Sequence, residues 1–377
     1  MATIQFISAI PAADCGSIRF MRRALLLLLP LLAPGQTMDI REYEPKSSLV
    51  VPENLRPKAK YPIIDAHSHH RFPMPAESYA LLLEQMDALN LRVLVNLSGG
   101  YGDRLKNAVE SSRKMAPGRF VIFASLDFRD IDAPDFPDRV AAQLEQDFKN
   151  GAAGLKFFKN FGMDLKDGQG RRIKTDDPRF DMVFQICAQY KKPVLIHTAD
   201  PKQFWEPVDK FNERWIELHE IPGRRRPPER NDPWEMLIAE QHNLFRKHPK
   251  TTFINAHLGW FGGDLGRLGR LLDECPNVYT EIGAVLAELG RQPRFARAWF
   301  VKYQDRVLFG KDSWQPTEYP YYFRVLETAD EYFDYYRKRH AFWKMYGLDL
   351  PDDVLKKLYY KNALRIIPGI DASAFPE

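Results

Sequence analysis

Short apolar runs and amphipathic helical stretches alternate eight times between Pro62 and Gly310, and this alternation constrains the fold more than any other feature. The runs are Pro62–Ala66, Arg92–Leu97, Arg119–Leu126, Ala153–Phe158, Pro193–His197, Thr251–His257, Val278–Ile282 and Val307–Gly310. Helical patterns fall between them at Ala76–Leu89, Asp103–Met115, Asp138–Lys149, Pro178–Tyr190, Trp234–Lys247, Leu265–Glu274 and Arg294–Lys302. Strands alternating with helices of roughly 10–15 residues argue parallel βαβ units. Eight such units in order, with no GxGxxG turn after any strand, argue an α/β fold closed as a (β/α)8 TIM barrel rather than an open doubly wound sheet. The amphipathic stretch Asp352–Ile366 is then a C-terminal helix that can seal the barrel. A chain of 377 residues suits one barrel of about 250 residues with insertions.

Two insertions interrupt the alternation. Asp200–Asp232 follows strand five and carries Phe204, Trp205 and Trp215; Trp314 to about Tyr346 follows strand eight and is rich in Tyr and Phe. Loops after barrel strands line the active-site face, so both segments are expected either to pack on the rim or to form a lid.

Ahead of the barrel, Met21-Arg22-Arg23 is followed by an apolar stretch from Ala24 to Ala33 and by small residues at Ala33-Pro34-Gly35. That is the pattern of a secretory leader, too short to cross a bilayer, which needs about 20 apolar residues. The expected organisation is a leader at 1–35, a linker or arm at 36–60 and the barrel domain at 61–377. The expected location is outside the cytoplasm, with N-terminal anchoring if the leader is not cleaved. Charged residues at 28%, hydrophobic residues at 45% and a net charge of +4 describe an ordinary globular chain. The densest basic run, Arg224-Arg225-Arg226, reads as a solvated loop, and nucleic-acid binding is not expected. Beyond the leader only Cys187 and Cys275 remain, so disulfides do not hold the fold.

The chemistry sits at the strand ends. In Pro62-Ile63-Ile64-Asp65-Ala66-His67-Ser68-His69-His70, alternation along a strand puts Asp65, His67 and His69 on one face, the two imidazoles roughly 6–7 Å apart at the backbone. Strand five ends in His197, strand six in Asn255-Ala256-His257-Leu258-Gly259-Trp260, and strand eight in Phe309-Gly310-Lys311-Asp312. Four of nine histidines and an aspartate therefore fall at the end of a barrel where such folds assemble their sites. His67, His69, His197 and Asp312 supply imidazole nitrogen and carboxylate oxygen suited to Zn²⁺ or a similar divalent ion. A carboxylate touching both metal and water serves as general base and acid, and His257 is placed to stabilise developing negative charge. Asp65 is expected to orient a ligand histidine from behind.

Asp65-Ala66-His67-Ser68-His69, Pro193–His197, Ala256-His257-Leu258-Gly259, Leu308–Asp312 and Tyr360-Lys361-Asn362-Ala363 together resemble the amidohydrolase superfamily. The likeness is closest to its amidohydrolase-related branch, which includes aminocarboxymuconate-semialdehyde decarboxylase, and it covers about Tyr61 to Ile366. It implies one divalent metal ion per chain, Zn²⁺ first, held by His67, His69, His197 and Asp312, with His257 and Asp312 catalytic. It also implies a small-molecule substrate and, in some members, a homodimer. Two residues depart from the branch: Lys311 stands where Ser or Thr is usual, open to binding an anionic substrate or pointing outward, and Trp260 where glycine often follows. Lys156, on strand four, is open to three readings: a carboxylated bridging group as in other branches, a grip on a substrate carboxylate, or a structural ion pair. Trp260, Glu281 and Arg291 are further candidates for substrate contact. The expected activity is metal-dependent hydrolysis of an ester, lactone or amide of a small organic acid. Non-oxidative decarboxylation of an aromatic or muconate-like acid through the same residues is the alternative.

Overall fold

The computed structural model describes residues 38–376. The leader expected at 1–35 lies outside them. Residues 38–48 group apart from the rest of the chain; they are exposed and contain one turn, closed by Glu42 N–H donating to the Asp39 carbonyl (2.9 Å). The unit beginning at Leu49 contains the barrel.

Eight parallel strands follow in chain order around one sheet: β1 (Ile63–Ser68), β2 (Leu91–Asn96), β3 (Phe120–Ala124), β4 (Gly154–Phe157), β5 (Val194–Ile196), β6 (Phe253–Asn255), β7 (Val278–Glu281) and β8 (Val307–Leu308). The two edges meet. Ala66 N–H donates to the Phe309 carbonyl (2.8 Å), Asp312 N–H donates to the His67 carbonyl (2.7 Å), and Ser68 pairs with Asp312 as a parallel bridge. The closed (β/α)8 expectation holds.

The helices form where the apolar spacing placed them. Helix α1 (Ala76–Leu89) buries Tyr79, Leu82, Met86 and Leu89, steps of three and four that make one stripe against the sheet. It stops at Asn90, whose left-handed backbone (φ 63°) suits an asparagine. After α2 (Gly102–Met115), α3 (Phe136–Lys149) and α4 (Asp181–Gln189), the first insertion contributes α5 (Trp215–Glu220), which its sequence pattern did not announce. Then come α6 (Trp234–Lys247), α7 (Leu265–Glu274), α8 (Leu286–Gly290) and α9 (Pro293–Lys302), with α10 (Tyr319–Glu327) in the second insertion.

The closing segment is not one regular helix. It runs as α11 (Asp352–Lys356), a π-helical turn at Lys357–Lys361, and α12 (Asn362–Ile366). The Leu358 carbonyl is diverted to Phe309 N–H (2.8 Å) at the end of β8, and Asn362 Nδ2 donates to the Gln304 and Val307 carbonyls (2.7 and 2.8 Å). Opening one turn of a helix to π geometry frees a carbonyl for such a bond. The stretch before β1 also docks. Asn54 N–H and Nδ2 each donate to Asp330 (both 2.7 Å), and Lys60 N–H donates to Glu327 (2.9 Å).

Candidate metal centre and catalytic cavity

Strand β1 delivers the first histidines through a bulge. From Asp65 to Ser68 it advances three residues while β2 advances two, from Leu94 to Asn96, the kind of insertion that re-aims side chains next to active sites. His67 is buried. Its Nδ1–H donates to Glu281 Oε1 (2.9 Å), which leaves the Nε2 lone pair directed inward, 3.5 Å from Asp312 Oδ1. His69 Nε2 lies 3.4 Å from the same oxygen, and its Nδ1 is held by Ser98 Oγ at 2.9 Å. Ligand atoms of His67, His69 and Asp312 all lie within 4.8 Å of one another.

Electrostatics keep His67 and Asp312 in ligating form. Burial, together with the Lys156 ammonium, lowers the His67 pKa to about 3, so the ring stays neutral. Burial alone would raise the Asp312 carboxyl, but the imidazoles of His67, His69 and His257 outweigh it and hold the group well below the usual range. Two imidazole nitrogens facing a carboxylate oxygen fit a divalent ion such as Zn²⁺. His67, His257 and Glu281 also cluster. That cluster is already closed by hydrogen bonds, since Glu281 Oε1 accepts His67 Nδ1–H (2.9 Å) and His257 N–H (2.7 Å), and Oε2 accepts Gly283 N–H (2.5 Å). Burial pushes the Glu281 carboxyl up, yet His67 beside it and these donated N–H groups hold it down at about 2.

Glu281 is therefore not a substrate contact. It is fully buried and acts behind His67, the carboxylate–histidine arrangement that sets which ring nitrogen is free. That role was expected of Asp65, and the structure reassigns it. Asp65 Oδ1 accepts the backbone N–H groups of His67 (2.9 Å) and Lys311 (3.1 Å), and Oδ2 accepts the Tyr319 hydroxyl (2.7 Å). It ties β1 to the end of β8 and touches no histidine ring. Burial raises its pKa to about 7.

His257 stands in left-handed backbone (φ 57°), as do Leu258, Gly259 and Trp260 (φ 53°, 60° and 62°). Such conformations cost non-glycine residues about 1–3 kcal/mol each and gather at functional sites. Glycine is needed at 259 on two counts, its φ and the 2.4 Å that would separate an added Cβ from Asn255 Nδ2. The turn swings the His257 ring over His67, with centroids 4.8 Å apart. His257 Nδ1–H donates to the Gly283 carbonyl (2.8 Å). A carbonyl only accepts, so Nδ1 carries the hydrogen and Nε2 is the nitrogen left for other work.

His197 does not join the converging trio. Its Nε2 donates to the Ala199 carbonyl (3.1 Å), where left-handed Ala199 (φ 63°) turns that oxygen back on the ring. Its ring lies edge-on to His257 with centroids 4.4 Å apart, and burial with His257 alongside keeps it neutral.

A cavity of about 180 Å³ opens beside these groups and takes in His197, His257, Trp260 and Asp312. Both insertions wall it, the first through Phe204, Arg214, Glu217 and Arg224, the second through Tyr335, Arg337 and His340. Buried Glu217 joins the two. Arg214 and Arg224 donate to it, and His340 Nδ1 lies 3.9 Å away. The arginine triplet is thus no free solvated loop, since Arg224 faces the cavity and Arg226 donates to Asp200 (2.7 Å). Trp205 and Trp215 pack elsewhere, Trp205 donating to the Asp232 carbonyl (2.9 Å) and Trp215 stacking on His219.

Of the residues proposed to contact substrate, only Trp260 lines this cavity. Arg291 pairs with Glu213 (2.8 Å) and covers the Trp343 ring (4.1 Å), in a neighbouring hollow. Lys156 is buried with Nζ 3.5 Å from His67 Nε2, its pKa lowered by burial to about 8. Lys311 turns neither outward nor toward the cavity; Nζ donates to the Ser313 carbonyl (2.7 Å) and to Glu318 (2.5 Å). Both insertions border this face as expected, but which of their side chains wall it, Arg214 to His340 among them, is not legible because irregular segments carry no periodicity to read.

A family model described as Amidohydrolase matches residues 53–369. No curated protein sequence matches the chain. Among solved structures, a Staphylococcus aureus protein assigned as an amidohydrolase is 16% identical, covering 81% of this chain and 99% of its own, with a TM-score of 0.51. A 2,6-dihydroxybenzoate decarboxylase bound to 2,6-dihydroxybenzoate is 14% identical over 81% and 99% (TM-score 0.49). A 4-oxalomesaconate hydratase from Rhodopseudomonas palustris is 14% identical over 83% and 97% (TM-score 0.48). At such identities the likeness is one of fold.

Proposed function

The chain belongs to the amidohydrolase family, and we propose that it is a hydrolase dependent on one divalent metal ion, acting on an ester, lactone or amide bond of a small organic acid. The observation that carries this reading is the convergence of His67 Nε2 and His69 Nε2 on Asp312 Oδ1, Asp312 itself lining a cavity sized for a small molecule. His67, His69 and Asp312 would hold the ion, and His197, whose ring lies against His257, is a further candidate ligand. A bound divalent ion supplies Lewis acidity and lowers the pKa of water toward about 7.

The protein groups divide the remaining work. Asp312 receives a proton from the attacking water on the oxygen turned away from the imidazoles and returns it to the leaving group. His257, with Nδ1–H committed to Gly283, acts through Nε2: as the imidazolium, keeping both its protons throughout the cycle, it would stabilise negative charge on the former carbonyl oxygen. Glu281 holds the His67 ring in the tautomer that leaves Nε2 free. The cavity's outer wall limits water around the reacting bond.

Elemental analysis of the purified protein tests the reading, beside a hydrolysis panel of lactones, esters and amides of small acids. One metal per chain, lost in His67→Ala, with ring or ester opening is the expected result. Stoichiometric CO₂ release from aromatic or muconate-like acids, without such opening, replaces hydrolysis by the carbon–carbon lyase alternative. Absence of metal at any loading overturns both. We also propose export, supported by the Met21–Gly35 pattern; a mature N-terminus near residue 36 is expected, and a retained leader refutes it.

A further inference from the structure

Asp312 has an awkward backbone for its task. Its φ of 83° lies in the left-handed region that L-residues with a Cβ avoid, and a carboxylate working beside two imidazoles must be held there. Three contacts bracket it. On one side its own N–H donates to the His67 carbonyl (2.7 Å). On the other, Ser313 is gripped twice: its carbonyl accepts from Lys311 Nζ (2.7 Å) and its hydroxyl from Arg337 Nη2 (2.9 Å). The Lys311 side chain therefore arches over Asp312, from the residue before it to the residue after.

Glu318 anchors the arch. It accepts from Lys311 Nζ at 2.5 Å and from Arg337 Nη2 at 3.2 Å. Lys311 is buried, its ammonium 5.3 Å from the centre of the Tyr319 ring. An ammonium has three donors, and two are spent on Ser313 and Glu318. Its backbone N–H meanwhile donates to Asp65 Oδ1, which also accepts from His67 N–H. Main chain and side chain of Lys311 thus tie together the residues flanking both His67 and Asp312.

We propose that Lys311, anchored by Glu318, is a positioning residue that holds Asp312 in ligating geometry, and that the ion-pair line Lys311–Glu318–Arg337 fastens the second insertion to the metal centre. The inference rests on the metal-dependent reading above. It explains why a long cation occupies a position where a short hydroxyl residue is usual in the branch this chain resembles: a hydroxyl at 311 is too short to reach Ser313 and Glu318.

The test uses Co²⁺ as the probe, with affinity by competition against a chelator and the visible absorption spectrum as readouts, neither of which needs a substrate. Wild type and Lys311→Met, Lys311→Met/Glu318→Gln and Glu318→Gln are compared, with thermal unfolding as the control. The double variant removes the anchor together with the cation, so no Glu318 carboxylate is left facing the vacated lysine position. Expected is a fall in Co²⁺ affinity of about tenfold or more in both Lys311 variants, with a shifted cobalt spectrum and, in the double variant, an unfolding temperature near that of wild type. Affinity within twofold and an unchanged spectrum in a folded Lys311 variant overturn the inference while leaving the metal centre intact. Should neither Lys311 variant fold, Glu318→Gln decides: a loss of about threefold supports the arch, and no loss removes it. A wild-type protein that binds no cobalt, or binds it equally as His67→Ala, sinks the metal reading and this inference together.

Discussion

Replacing Glu281 with glutamine strikes the hinge of the site. Its two oxygens accept three N–H groups, from His67 Nδ1, His257 and Gly283. An amide offers one acceptor and one NH₂ group. With its oxygen toward His67 and His257, the NH₂ meets Gly283 N–H; turned over, it meets the other two. A buried donor left unmet costs about 1–3 kcal/mol. A second estimate comes from titration. The carboxyl falls from an ordinary 4.5 to about 2 in the fold, a gap worth on the order of 3 kcal/mol. Because the folded pKa is the lower one, that stabilisation is complete above about pH 4.5 and is lost as the pH falls toward 2. The two estimates overlap and are not summed. Glu281→Gln should therefore unfold roughly 1–4 °C below wild type at pH 7.5, the difference narrowing below pH 4. It should also bind Zn²⁺ about 10–100-fold more weakly, as losses behind a ligand histidine do. Calorimetry across pH and zinc titration measure both. A variant that melts with wild type and binds zinc within twofold would refute the assignment of Glu281 as the group that fixes His67.

Other substitutions probe separate parts of the same account. Gly310→Ala would set a Cβ 2.3 Å from Glu281 Oε2 and 3.1 Å from His67 Cβ; chemical denaturation should show a loss of about 1–3 kcal/mol, and unchanged stability would mean this strand end has slack. His69→Ala should lower Zn²⁺ affinity at least about 100-fold and His197→Ala less than about tenfold, read by chelator competition. The reverse order would show that His197 leaves the Ala199 carbonyl to ligate. Asp147, fully buried with its pKa raised by burial to about 6, opposes folding once ionised. Its cost appears as the pH climbs from about 4 to 6, so Asp147→Asn should gain stability at pH 7.5, by on the order of 3 kcal/mol at most, and little at pH 4. A gain at both pH values, seen in melting curves, would contradict this.

Much of the scaffold was legible in the chain itself. Helices Ala76–Leu89, Trp234–Lys247 and Leu265–Glu274 lie where their apolar spacing put them, because one stripe of a helix must face the sheet whatever else surrounds it. Eight strands in order, all parallel, followed from the helical stretches between them, since a parallel pair needs a crossover connection of about a dozen residues or more. The positions of His67, His69, His257 and Asp312 at strand ends were equally plain, since a barrel collects those ends on one face. The closing helix was misjudged in its regularity. Nothing in Asp352–Ile366 announces that the Leu358 carbonyl will be claimed by Phe309 N–H.

What the sequence determined is the address of each chemical group, because strand and helix periods are local and survive translation into any barrel. What only tertiary structure decided is which atom each group presents. Asp65 and Glu281 are both carboxylates at strand positions, yet Asp65 holds backbone N–H groups and the Tyr319 hydroxyl while Glu281 also takes the His67 ring nitrogen, a difference set by what the closed barrel packs against each. His197 carries the same imidazole as His67 but spends Nε2 on a carbonyl two residues away, through a left-handed turn that no periodicity encodes. Lys311 looked like an outward or substrate-facing cation until the fold brought Ser313 and Glu318 beneath it. Hydrogen-bond partners distant in sequence are chosen by packing, and packing is the one thing a linear pattern does not carry.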